Sequence, residues 1–160
     1  MNSDSNVPQA GASAATMQTA PFPQTAPAPD FDLKSSPIPN FHSLLEARAE
    51  VFRRRRKVES FRAAVEALQG SGEEGRRKGL GQWMLGEFEA AAAQLAAYAG
   101  DDVASFTRAN ALLSAGRPAE AEPIFRRLAE AYPAEPRPRG GGIAAQLEAD
   151  LDRGAEELAL

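Results

Sequence analysis

Few residues in this 160-residue chain have side chains suited to catalysis or metal binding. There is no cysteine and only one histidine, His42. This composition excludes disulfides, thiolate nucleophiles, histidine-based triads and metal sites with several Cys or His ligands. The paired carboxylates, Asp101 with Asp102 and Asp150 with Asp152, lie beside expected helix ends, where the helix dipole favours acids. We therefore expect a non-enzymatic protein without metal or cofactor, in which His42 is a surface or capping residue.

The most prominent charged motif is a basic run of five residues: Arg53, Arg54, Arg55, Arg56 and Lys57. Residues 41–79 carry ten basic and six acidic side chains, residues 80–160 carry seven and thirteen, and the net charge of the chain is -4. Basic clusters contact phosphate backbones in nucleic-acid-binding proteins. Five consecutive residues encircle a helix, however, and Glu50 and Glu59 are close enough to neutralise part of the run. The sequence favours a solvated basic run, or one that contacts the acidic repeats of the same chain or of another molecule, with a nucleic-acid contact as the alternative.

The N-terminal part of the chain has the composition of a disordered leader. Five of the first thirty residues are proline, and only Asp4 and Asp30 are charged there, so residues 1–39 are predicted to lack a core of their own. One tetrapeptide differs, Asp30-Phe31-Asp32-Leu33. It is either a docking motif, for this protein or for another, or a chance pair of apolar residues, and composition favours chance.

A long amphipathic helix is predicted over residues 40–69. Asn40 is a suitable N-cap, and Gly70-Ser71-Gly72 ends the pattern. Apolar residues follow a heptad register that only Arg54 violates: Leu44, Ala47, Val51, Val58, Phe61, Val65 and Leu68. This spacing allows a coiled-coil homo-oligomer, but further apolar residues widen the face and favour a helix packed on its own domain.

Shorter helices follow, and no alternating β-branched run is present, so the fold class is all-α. The predicted helices span residues 73–84, 87–99, 102–115, 118–132, 142–149 and 152–159. A hexapeptide repeats inside this region: Gly86–Ala91 matches Gly116–Ala121 at an offset of 30, and Asp150–Ala155 is a weaker third copy. A turn between antiparallel helices that repeats at this period is typical of helical solenoids.

The middle copy resembles the tetratricopeptide-repeat (TPR) family. The family has characteristic positions for small residues, for large apolar residues, for the turn glycine and for a terminating proline. The middle copy matches them with Ala109, Leu112, Gly116, Ala121, Phe125 and Pro133. Residues 119–128 are similar to the second helix of a bacterial or kinesin-light-chain-type repeat. The resemblance covers residues 73–160 and implies a short α-solenoid, with an open face covered by the 40–69 helix, a partner or a second subunit.

The resemblance also implies where a partner binds. TPR proteins hold peptides in a groove lined by the first helix of each repeat, and the matching positions are Val103, Phe106, Asn110, Leu113 and Ser114. Three of these residues are apolar and share a helical face with Asn110, whose amide can both donate to and accept from a peptide backbone. Trp83 is the counterpart in the preceding repeat. Burial in the core explains the α5 residues equally well, and for Trp83 it is the favoured explanation.

The expected function is therefore a non-catalytic protein–protein interaction scaffold that binds a peptide or helix of unknown identity. Phe106 stands where a carboxylate clamp needs a lysine, so capture of a C-terminal carboxylate is not expected. The chain has no apolar run long enough to span a bilayer and no secretory signal pattern, so a cytoplasmic location without a membrane partner is expected.

Overall fold

The computed structural model describes residues 30–158, which form seven α-helices and no strand. The all-α prediction is confirmed for this part of the chain. The helices are α1 (Phe41–Phe52), α2 (Arg55–Glu66), α3 (Gly72–Met84), α4 (Phe88–Leu95), α5 (Asp102–Ser114), α6 (Pro118–Ala131) and α7 (Pro136–Leu158), with a 3-10 turn over Ala96–Tyr98. Helix α5 is central, because it packs against α3, α4, α6 and α7, and α1 lies across α3 and α5.

The repeated glycines form equivalent turns. Gly86 and Gly116 both have a positive φ, 81° and 72°, which an L side chain rarely adopts. At the first turn the N–H of Glu87 donates to the carbonyl of Gln82, five residues earlier, at 2.9 Å. The N–H of Arg117 makes the same bond to the carbonyl five residues earlier, also at 2.9 Å. The glycines at the 30-residue offset therefore end α3 and α5 with the same hydrogen-bonded cap.

Helix α3 is rich in glycine because other elements approach it closely. A Cβ on Gly79 would lie 2.6 Å from Leu95 Cδ2 of α4, and a Cβ on Gly81 would lie 2.6 Å from Val65 Cγ2 of α2. Such distances leave no room for a methyl group. The glycines therefore allow α3 to pack tightly between α2 and α4, at the cost of helix propensity.

The predicted single helix over residues 40–69 is wrong, because the chain breaks inside the basic run. Asn40 caps α1 as expected, its Oδ1 accepting from the N–H of Ser43 at 2.9 Å. The helix ends at Phe52, Arg54 is extended, and α2 begins at Arg55. A straight helix of 30 residues would be about 45 Å long, more than twice the length of α3. The break allows both halves to pack on the domain, which buries most of the heptad face within this chain: Leu44, Ala47, Val51, Phe61, Val65 and Leu68. That face is therefore not available as a seam between subunits.

The C-terminal region also differs from the prediction. Helices were expected over residues 142–149 and 152–159, but α7 is continuous from Pro136 to Leu158 and includes the three glycines at 140–142. A Cβ on Gly141 would meet the Phe125 ring at 2.5 Å, so this glycine is needed for contact with α6. The predicted third repeat turn over 150–155 is absent. Its sequence has no glycine at the turn position where Gly86 and Gly116 reverse the chain.

Part of the predicted leader is ordered. Residues 30–38, here called the strap, pack on α2 and α3, and Leu33 and Ile38 belong to the core. Arg77 of α3 fixes the strap backbone through its Nη1, which donates to the carbonyls of Leu33 at 2.8 Å and Ser36 at 2.9 Å. Disorder over the whole of 1–39 is therefore wrong for 30–38, and residues 1–29 lie outside the described part. None of the helices over residues 30–158 has the length and apolar character needed to cross a bilayer.

Candidate partner-binding site

The predicted groove face is formed by α3 and α5, but α1 covers much of it. The Phe41 ring of α1 lies between the rings of Trp83 and Phe106, with centroids 5.2 Å and 4.6 Å away. Phe106 in turn meets Phe125 of α6 edge-on at 5.7 Å. Trp83 is buried by this packing. Its aromatic side chain therefore serves the chain's own core and is not a free binding anchor.

Arg48 also holds α1 on the groove. Its Nε donates to the carbonyl of Met84 at the end of α3, at 3.1 Å. Its guanidinium lies 5.4 Å from the centroid of the Trp83 ring and 5.5 Å from that of Phe52. Arg48 thus attaches α1 to α3 in two ways, by a cation–π contact and by a hydrogen bond to an otherwise free carbonyl at the helix end. Helix α1 is consequently an integral cover of α3.

The second half of α5 does not join the other predicted residues in one site. Asn110 donates from Nδ2 to the carbonyl of Phe106 at 2.8 Å, so one side of its amide is already used within the helix. Leu113 is half-buried against the core, and Ser114 is exposed at the last position of α5. The predicted peptide-binding row along α5 is therefore divided between core packing and solvent.

An open cavity remains at the first turn of α5. It has a volume of about 300 Å³ and is enclosed by the start of α1, α5, the end of α6 and the start of α7. Its floor is apolar and includes two residues of the predicted groove, Val103 and Phe106. The remaining lining residues are Pro39, Asn40, Phe41, Asp102, Leu128, Tyr132, Glu135, Arg137 and Pro138. We call this space the α5 cavity.

The rim of the α5 cavity is polar and ordered by ion pairs. The hydroxyl of Tyr132 donates to Asp102, and this bond raises the pKa of the tyrosine. Arg127 Nη1 lies 3.3 Å from the other oxygen of Asp102. On the opposite side Arg137 Nε lies 3.5 Å from Glu135 Oε1. An apolar floor with a few oriented polar groups is the usual composition of a small binding pocket.

The basic run does not form a single cationic face. Arg53 pairs with Glu50 at 3.1 Å, and Arg55 pairs with Glu59 at 3.5 Å. Arg54 and Arg56 are exposed, and the helix break separates them. Since neighbouring carboxylates pair with members of the run, the positive charge available to a phosphate backbone is reduced.

Lys57, the last residue of the run, ties the strap to the helix break. Its Nζ lies 2.6 Å from Asp30 Oδ1 and 2.5 Å from Glu50 Oε1. Hydrogen bonds to both carboxylates raise the pKa of Lys57, and the lysine lowers the pKa of Asp30 and of Glu50. The pair with Glu50 agrees with the expected neutralisation of the run, whereas the pair with Asp30 of the strap is a structural role that the sequence did not indicate.

The other titratable residues named in the sequence analysis make local contacts. His42 lies on the surface of α1, with Nε2 3.3 Å from Glu46 Oε1. Over residues 30–158 no group of three His, Asp or Glu side chains is placed to hold a metal ion. Asp101 caps α5, accepting from the N–H of Ala104 at 2.7 Å, and also pairs with Arg76 at 2.9 Å.

Sequence reasoning found two floor residues of the α5 cavity and missed its walls. Phe41, Tyr132 and Arg137 come from three helices whose relative placement the sequence does not specify. The one sequence feature that pointed to a wall of the cavity was Phe41, a large apolar residue directly after the Asn40 cap. Comparisons with protein-family models, curated proteins and solved structures gave no match.

Proposed function

We propose that this chain is a non-catalytic protein-interaction module in which TPR-like helix pairs present the α5 cavity to an apolar side chain of a partner. The helix pairs are α3 with α4 and α5 with α6, followed by α7. Equivalent glycine turns at the offset of 30 residues and packing between successive helices support the TPR-like description.

The observation that supports the site is the combination of an open apolar floor and an ordered polar rim. A cavity of about 300 Å³ is at the small end of ligand pockets and matches one or two large side chains. Asp102 and Glu135 put carboxylates on the rim, and Arg137 adds a cation. We therefore infer that the partner is an extended peptide with one apolar anchor and flanking polar residues.

The test is selection of binding peptides from a displayed random library against the whole chain, followed by anisotropy titration of labelled peptides. Peptides that share a large apolar residue are expected. Val103→Asp should weaken their binding by about tenfold or more, because a carboxylate would then lie on the apolar floor. The fold should tolerate this substitution, since residue 103 lies in the first turn of α5, where acids are favoured.

The matched control is Ala90→Asp, an apolar-to-acid change at an exposed position in the first turn of α4. It should leave peptide affinity within about twofold of that of the parent chain. The proposed site is wrong if the library yields no enriched peptide, or if Val103→Asp and Ala90→Asp have equal effects on affinity. Circular dichroism of both variants is the control for folding, and their helix content should equal that of the parent chain.

A further inference from the structure

Helix α7 exposes an apolar stripe that the chain itself does not cover. Ile143, Leu147 and Leu151 are 65%, 59% and 64% exposed, and their spacing of four residues places them on one helical face. Surface leucines are common singly, but three aligned along two helical turns form a continuous apolar patch. Phe52 and Leu45 are less exposed, at 47% and 39%.

The stripe is not needed to attach α7 to the rest of the chain. The opposite face of the helix makes that contact, with Ala145 fully buried and Gly141 against the Phe125 ring. Helix α6 is the main neighbour on that side. The stripe therefore has no role in the packing of the described chain, and its exposure leaves apolar surface in water.

We propose that the stripe binds a second copy of this chain, with the two α7 helices antiparallel. The charge order along α7 supports this occupant. Arg137 and Arg139 lie in its first turns, one on each flank of the stripe, and Glu148 and Asp150 lie toward its end, again one on each flank. Arg153 pairs with Asp150 in the same chain but lies farther round the helix from the stripe. Antiparallel pairing brings the basic half of one helix beside the acidic half of the other.

One register satisfies both the apolar and the charged residues. With Ile143 opposite Leu147 of the second copy, Leu151 lies over Gly140 of the second copy. There is room for a side chain at that position, since a Cβ added to Gly140 would meet nothing within 4 Å. In the same register Arg139 and Asp150 of the second copy share a flank and lie about 1.5 Å apart along the axis. Parallel in-register pairing would instead place like charges side by side, Arg139 beside Arg137 of the second copy and Asp150 beside its Glu148.

The contact is small, so the dimer is expected to be weak. Each copy contributes three large apolar side chains, well below the roughly 800 Å² per partner of a standard stable interface. We expect a dissociation constant on the order of 10 to 100 µM, with monomer at low concentration.

Sedimentation equilibrium of the full 17.0 kDa chain tests this proposal. The average mass should rise toward that of a dimer between about 2 and 200 µM. Leu147→Glu should weaken association by about twentyfold or more, because it places a charge in the centre of the contact. Leu45→Glu is the matched control, since Leu45 is also an exposed leucine, 39% accessible, but lies on α1. It should leave association unchanged.

A charge exchange tests the direction of pairing. Asp150→Arg alone should weaken association by about fivefold, because it faces Arg139 of the other copy. Adding Arg139→Asp to the same chain should restore association to within about twofold, since the pair is re-formed with its signs reversed. A chain that stays monomeric throughout, a Leu147→Glu variant that associates normally, or a double exchange that fails to recover would overturn the proposal.

Discussion

The substitution Leu33→Ala tests whether the strap belongs to the folded domain. Leu33 is 2% exposed, and its Cδ2 lies 3.2 Å from where a Cβ on Gly81 would be. The strap is also fixed by the two Arg77 bonds to its carbonyls and by the Phe31 ring, 6.3 Å from that of Phe61. The side chain is thus enclosed between α2 and α3, and its removal leaves a cavity in the core.

The expected loss of unfolding free energy is about 2 to 4 kcal/mol. Burying a leucine side chain contributes about 1.5 to 3 kcal/mol, and the cavity left by a Leu→Ala change adds to that loss. Domains of this size are stable by about 5 to 15 kcal/mol, so the effect is a large fraction of the total. In a disordered leader the same substitution would change the unfolding free energy by less than about 0.5 kcal/mol.

Urea unfolding followed by the fluorescence of Trp83, the only tryptophan, and by circular dichroism measures this difference. Lys34→Ala is the matched control, because residue 34 is exposed and adjoins Leu33. Its midpoint should agree with that of the parent chain. Equal midpoints for Leu33→Ala and Lys34→Ala would refute the assignment of the strap to the core.

Three other perturbations have expected outcomes. Gly141→Ala should destabilise the chain by about 1 to 2 kcal/mol in urea unfolding, because its Cβ would meet Phe125 at 2.5 Å, whereas Gly140→Ala, which meets open space, should stabilise it by about 0.5 to 1 kcal/mol. The two carboxylates paired with Lys57 have lowered pKa values, so their contribution to stability is complete above their ordinary values of 3.8 and 4.5 and is lost as the pH falls through the lowered values. In a plot of the urea midpoint against pH, Lys57→Met should therefore reduce the fall of the midpoint at acid pH. An unchanged fall would contradict the ion-pair assignment. Phe41→Ala should shift tryptophan emission to the red and increase quenching by acrylamide, since it uncovers the indole, and a spectrum equal to that of the parent would refute the stacking.

Local chemistry explains which elements the sequence predicted well. The Asn40 cap and the turns at Gly86 and Gly116 depend on residues within a few positions, so their side-chain and backbone preferences identify them directly. Helices α3 to α6 also lie close to the ranges predicted from periodicity, 73–84, 87–99, 102–115 and 118–132. These features gave the all-α class and the positions of the helix pairs.

Contacts between distant residues explain the errors. The glycines at 140–142 indicate a break by propensity, and only the ring of Phe125 shows why Gly141 belongs inside a helix. The break after Phe52 is set by the packing of both helices on the domain, and its one local sign is Arg54, the residue that violates the heptad register. Leu33 belongs to the tetrapeptide Asp30–Leu33, which composition attributed to chance, and its burial requires Gly81, 48 positions later. In each case tertiary packing overrides the local preference.

The candidate site shows the same division between local and distant information. The sequence placed Val103, Phe106 and Trp83 correctly on the first helices of their pairs but left open whether they form a groove or a core. The position of Phe41 answers this for Trp83, which the chain's own α1 covers. Val103 and Phe106 line the α5 cavity, so they are the part of the predicted groove that stays open to solvent.

In the proposed site, helix α1 is one wall of the cavity and is not displaced by the partner. A partner that displaced α1 would have to replace the contacts of Phe41 with two aromatic rings and the bond from Arg48 to the Met84 carbonyl. It would also expose the buried face of α1 to water. A partner that binds in the α5 cavity keeps all of these contacts and gains the Phe41 ring as an additional surface. Since only the second route leaves the core intact, Phe41→Ala should weaken peptide binding, whereas a displacement mechanism requires the same variant to strengthen it.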